Sequence, residues 1–138
     1  MAEQDYRGTR IFLSVVAVLL AIGGLFMIFS NKGLLMRMFM GPPPGEVSTL
    51  MLFMTKEFGG VMLLLSALLW FASRDPLRNV AILDAFVIGF CVLAVTPLIS
   101  RAQLPIRDIY PDSLVWGRSV IRLIMAGVFY WLRPRSAA

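Results

Sequence analysis

Apolar residues in this chain do not alternate with polar ones. They form long runs separated by short charged stretches. The first run, Ile11 to Phe29, carries no charged side chain. It is about as long as a bilayer crossing requires, roughly twenty residues. The second spans Val47 to Ala72 and is interrupted by Lys56 and Glu57. The third spans Asn79 to Ser100, and the fourth spans Leu114 to Leu132 with Arg118 and Arg122 inside it. The pattern predicts helices over residues 11–30, 47–72, 79–100 and 114–132. The expected fold is an all-α membrane protein: a four-transmembrane-helix up-down bundle, with residues 1–138 as a single domain.

The connections refine this picture. Ser73 to Arg78 is so short and polar that the second and third helices should form an antiparallel hairpin. Residues 31–46 hold a Leu/Met/Phe stretch with Lys32 and Arg37, then Gly41-Pro-Pro-Pro-Gly45. This reads as an interfacial amphipathic segment followed by a stiff proline hinge. Residues 101–113 mix Arg107, Asp108 and Asp112 with Leu104, Ile106, Ile109 and Tyr110, as a loop lying on the membrane surface would. Asp112 or Ser113, just after Pro111, is the expected N-cap of the fourth helix. Arg7 and Arg10 precede the first run as they would a signal peptide. That run ends in Ser30-Asn31-Lys32 without a small-residue cleavage pattern, so it is read as a retained helix.

Composition agrees with a bilayer. The chain is 59% hydrophobic over 138 residues, more apolar surface than a soluble domain of that size can hide. The formal net charge is +5. The basic residues stand mostly singly at the ends of apolar runs, which suits topology control and lipid headgroups rather than nucleic acid. The expected inner side carries Arg7, Arg10, Arg74, Arg78, Arg133 and Arg135; the other carries Lys32, Arg37, Arg101 and Arg107. That bias predicts both termini in the cytoplasm. The expected location is a bacterial inner membrane, with the protein multi-pass. Trp70, Trp116 and Trp131, with Arg74, Arg78, Arg133 and Arg135, are the expected lipid-interface residues. Trp116 and Trp131 would lie about 22 Å apart along a helix, matching two interfacial belts.

Chemistry is scarce. There is no histidine and one cysteine, Cys91. The commonest haem, pigment and metal ligand is therefore missing, and no cysteine pair exists for redox work. No nucleophile–base pair, phosphate loop or zinc spacing appears, so no catalytic residue, metal or cofactor is expected. A bound lipid or quinone remains compatible. Met36-Arg37-Met38-Phe39-Met40 has thioethers at alternate positions that could suit Cu(I), but reads better as an apolar interfacial stretch.

Lys56, Glu57, Asp84, Arg118 and Arg122 fall inside apolar runs. Each would cost a few kcal/mol facing lipid and needs a partner or a route to the interface. Glu57 and Arg118 each lie thirteen residues from an inner-belt tryptophan, Trp70 and Trp131. Equal depth predicts that Glu57 pairs with Arg118, with Arg122 one turn deeper as a second partner. Lys56 would snorkel to the outer headgroups. Asp84 would meet the hydroxyl of Tyr130 or Ser14, or an arginine of the inner turn. Two roles fit the Glu57, Arg118 and Arg122 cluster: a structural ion pair, or a path for protons or anions. Gly23-Gly24, Gly59-Gly60, Ala85-x-x-x-Gly89 and Ala126-Gly127 are small-residue patches that let helices approach closely. Pro97 removes an N–H, frees the carbonyl of Leu93 and should bend the third helix.

The stretch KEFGGVMLLLSALL from Lys56 to Leu69, followed by a short arginine-rich turn and a third helix, resembles small four-helix bacterial membrane proteins of the DoxX-like and DUF4345-like type. In those a glutamate followed by a Gly-Gly pair opens the second helix; the matching positions are Glu57, Gly59 and Gly60. Some of that type are linked to quinone-dependent sulfur oxidation. This chain lacks the cysteine pair or other redox site that would carry the activity over. Small size, little extramembrane mass and the lack of chemistry point first to a non-catalytic accessory subunit of a larger bacterial inner-membrane complex, an energy-transducing one being one option, or to a homo-oligomer. The alternative is a small transporter, or a quinone- or lipid-binding module, built on Glu57, Arg118 and Arg122.

Overall fold

The computed structural model describes residues 6–38, 48–104 and 111–134. The proline hinge at 41–45, Arg107, Asp108, Arg135 and the side chains of the methionine stretch lie outside the described residues. Five helices follow in order: α1 (Arg7–Ile28), α2 (Lys32–Met38), α3 (Thr49–Arg74), α4 (Val80–Gln103) and α5 (Asp112–Leu132). No strand occurs among the described residues. The four longer helices, α1, α3, α4 and α5, are each long and apolar enough to cross a membrane. The short α2 occupies the connection expected to be interfacial, and Asn31 opens it by accepting the Leu34 N–H at 2.9 Å.

The helices extend beyond their apolar runs. α1 starts at Arg7 and α4 continues to Gln103, because the backbone keeps its own hydrogen bonds as it leaves hydrocarbon. α4 runs through Pro97 without ending. The start of α5 corrects the expected cap. Pro111, with φ −62° and ψ 141°, holds the N-cap position and no side chain caps the helix. Asp112 is instead the first helical residue, where a carboxylate favours the positive end of the helix dipole. It pairs with Arg101 at 2.9 Å.

Two compact units make up the chain: Arg10–Arg74, and Asp75–Ala138 together with the residues up to Thr9. In the first, α1 and α3 run antiparallel. Arg10 donates through Nε to the Ser73 carbonyl at 3.2 Å and through its guanidinium to that of Arg74. Ser66 Oγ donates to the Ala17 carbonyl at 2.7 Å. A Cβ placed on Gly24 would come 2.8 Å from the Gly59 carbonyl oxygen. At the other end, Lys56 Nζ donates to the Ile28 carbonyl at 2.6 Å. The contacts at 10 with 73, 17 with 66 and 24 with 59 recur every seven residues on both helices. A seven-residue repeat keeps one seam facing its partner. Small residues along that seam let the backbones close up, which is how helices associate where burial from water supplies no drive.

The second unit pairs α4 with α5, also antiparallel. Phe129 is fully buried. It stacks on Phe86 with centroids 5.5 Å apart and lies 5.5 Å from Phe90 at a tilt. Leu83, Ala94, Val115 and Ala126 are buried with it. Thr9 Oγ1 donates to the Leu132 carbonyl at 3.3 Å. A Cβ placed on Gly89 or Gly127 would meet nothing within 4 Å, so neither marks a close helix contact within this unit. Large apolar side chains face outward on every long helix, including Leu19, Leu64, Ile88 and Ile121, each more than 60% exposed. Water would penalise that surface and lipid does not, so the fold is that of a multi-pass membrane protein.

Candidate functional site: an arginine cleft beside Pro97

Pro97 sits inside α4 and has no N–H to give the carbonyl four residues earlier. That carbonyl, of Leu93, accepts instead from Arg122 Nη1 of α5 at 2.5 Å. The sequence predicted the freed carbonyl; its partner comes from the neighbouring helix. One turn towards the start of α5 stands Arg118, and the two arginines border one cavity of about 210 Å³. Thr96 and Ser100 of α4 add hydroxyls to its wall, and Pro97, Leu114 and Val115 add apolar surface. Thr96 Oγ1 donates to the Val92 carbonyl at 3.0 Å, so its proton is engaged and its lone pairs remain available.

The outer rim is also built. Arg101, near the end of α4, pairs with Asp112 at 2.9 Å and lies 6.0 Å from the Trp116 ring centroid. A cation over an indole face and a surface ion pair belong at headgroup level. The cleft therefore begins near the interface and deepens along Arg118 to Arg122. Chemically it offers guanidinium donors, hydroxyls and an apolar wall. Among the described residues its lining holds no nucleophile beside a base.

Glu57 is exposed on α3, in the unit of α1 and α3; Arg118 and Arg122 are on α5, in the other unit. Lys56 caps the last turn of α1 through Ile28 rather than reaching for headgroups, because the end of an antiparallel neighbour offers orphan carbonyls within its reach. Asp84 forms an ion pair with Arg133, Nε to Oδ1 2.9 Å. An arginine just beyond α5 thus supplies the partner, where a hydroxyl or an inner-turn arginine was expected, while the Tyr130 side chain is exposed. Trp70, Trp116 and Trp131 are exposed, as are Arg74 and Arg78. The turn before α4 is held by Asp75, whose Oδ1 accepts the Arg78 N–H at 3.1 Å and whose carbonyl accepts from Asn79 Nδ2 at 2.9 Å.

Sequence reasoning missed Thr96, Ser100 and the Arg10 clamp. The proline signal could have found the hydroxyls, since Thr96 precedes Pro97 and Ser100 is one turn on. The seven-residue spacing of Arg10, Ala17 and Gly24 could have found the clamp. Comparison of the chain with protein families, with curated proteins and with solved structures gives no match.

Proposed function

We propose that the protein is a small, non-catalytic membrane module that binds a bilayer-soluble ligand, a lipid or a quinone, in the cleft of Arg118 and Arg122. The observation that carries this reading is the cavity itself: two arginines of a spanning helix border open space with hydroxyls beside them. Arginines serving only as structural glue would be expected in sealed contacts, whereas intramembrane charges that line a cavity mark ligand or ion paths. Part of Arg122 acts structurally, on the Leu93 carbonyl. A guanidinium has five N–H donors, so that contact leaves others for a ligand.

The reading puts both termini in the cytoplasm, supported by the distribution of arginines at the ends of the spans, and a bacterial inner membrane as the location follows from the resemblance alone. The resemblance to DoxX-like proteins fits a quinone or lipid ligand without an active site. Purification in mild detergent followed by native mass spectrometry tests the proposal. The expected result is a bound amphiphile that is lost from the double variant Arg118→Gln/Arg122→Gln. Stoichiometric large protein partners and no bound amphiphile would favour the accessory-subunit reading instead.

A further inference from the structure

We infer that the cleft takes the phosphate group of an anionic membrane lipid, with the acyl chains outside along α4 and α5; this rests on the cleft being a ligand site. Size is the first argument. The cavity, about 210 Å³, is below the roughly 300 Å³ at which pockets enclose a whole drug-sized ligand. It suits a headgroup fragment whose remainder stays in the bilayer.

Charge is the second. Arg118 and Arg122 are four residues apart on one helix and border the same space. Like charges at that spacing repel, and the penalty grows as the surroundings become less polar. An anion between them reverses the sign of that interaction. Guanidinium forks match the oxygens of a phosphate, and the hydroxyl of Ser100 can donate to one. A quinone carbonyl is neutral and uses one donor at a time. Its ring also wants a flat apolar or aromatic slot, and no aromatic side chain lines this cavity among the described residues.

Depth is the third. Arg118 lies six residues into α5 from Asp112, about 9 Å along the axis. The Asp112–Arg101 pair and Trp116 mark the interfacial level. A lipid phosphate therefore reaches Arg118 by sinking less than half the hydrocarbon depth of ~30 Å. Its tails have a surface to follow: Val95, Ile99 and Ile121 are each at least 50% exposed. A free anion entering the same cleft would lose its hydration with no tail to offset the loss.

The test is native mass spectrometry on delipidated, detergent-purified protein. It is titrated separately with a phosphatidylglycerol, a phosphatidylcholine of the same chains, ubiquinone and inorganic phosphate. Phosphatidylglycerol is expected to bind the most tightly. Arg118→Gln should weaken it roughly 10- to 100-fold, the loss of a charged hydrogen-bonding partner, and Arg118→Lys should weaken it less. Thermal unfolding without lipid checks that the variants are folded. If Arg118→Gln is not, Ser100→Ala replaces it, with a smaller loss expected. Equal binding of the two phospholipids, or a folded Arg118→Gln variant that binds as the parent does, overturns the inference. Preference for ubiquinone also overturns it while leaving the ligand site standing. Inorganic phosphate binding as tightly as the lipid removes the lipid as its source. No binding in any arm removes both the inference and the proposed function.

Discussion

Gly24 and Gly59 lie across from each other at a close approach of α1 and α3. A Cβ on Gly24 would stand 2.8 Å from the Gly59 carbonyl oxygen, and one on Gly59 would stand 2.7 Å from that of Gly24. The obstacle in each case is backbone, which cannot swing aside. Alanine at either position should therefore cost about 1–3 kcal/mol through forced separation of the helices. The double variant should cost less than the sum, because one separation serves both methyl groups. A methyl group added at Gly60 would meet nothing within 4 Å, so Gly60→Ala should match or slightly stabilise the parent by helix propensity. Thermal unfolding in detergent checks the set; a Gly60→Ala loss equal to that of Gly59→Ala would reject this packing.

Arg122 and Pro97 should be energetically coupled although they sit on different helices. The proline withholds a donor from the Leu93 carbonyl and Arg122 supplies one. Arg122→Met should cost about 1.5–3 kcal/mol through loss of a charged donor to that carbonyl. With Pro97→Ala, residue 97 regains its N–H and the same Arg122→Met change should cost at least ~0.5 kcal/mol less. A double-mutant cycle of unfolding free energies measures the difference. Strict additivity would mean that the arginine's contact with the carbonyl contributes nothing.

Much of the fold was legible because hydrocarbon imposes one strong rule. Each apolar run must satisfy its own backbone, and so becomes a helix. The runs around Ile11–Phe29 and Leu114–Leu132 gave those helices within a turn at each end. The partners of the charges were less legible. Counting residues along a helix gives the height of a charge but not the face it presents, and pairing needs both. Lys56 and Arg122 show the same gap: each found a backbone carbonyl, Ile28 and Leu93, rather than a charge. Carbonyls carry no residue identity, so a reading that matches acids to bases passes over them. The freed carbonyl of Leu93 was visible only because proline is a letter in the sequence.

Asp84 and Arg133 form an ion pair that should contribute little. Asp84 is in the second turn of α4 and Arg133 just beyond α5, so the pair lies at an end of the helix pair, and pairs within reach of interfacial water typically contribute about 0–1 kcal/mol. Asp84→Asn should therefore lower stability by no more than about 1 kcal/mol, and raising salt should shrink even that. Chemical denaturation in detergent at two salt concentrations measures both. A loss of several kcal/mol, insensitive to salt, would mean that the pair is sealed from water and fixes the α4–α5 register.

Lys56 and Arg10 clamp opposite ends of the α1–α3 seam, each on carbonyls at the end of the facing helix. Lys56 serves Ile28 at 2.6 Å, and Arg10 serves Ser73 at 3.2 Å. A cation there satisfies an orphan acceptor and the negative end of the helix dipole together. Lys56→Met should cost about 1–2 kcal/mol, with Lys56→Arg recovering most of it. The effect should be local, since the glycine and Ser66 contacts hold the middle of the seam independently. Hydrogen exchange should therefore rise in the last turn of α1 for Lys56→Met and in the last turn of α3 for Arg10→Met, with the centre of each helix unchanged. Exchange rising evenly along both helices in either variant would show that the clamps hold the whole hairpin rather than its ends.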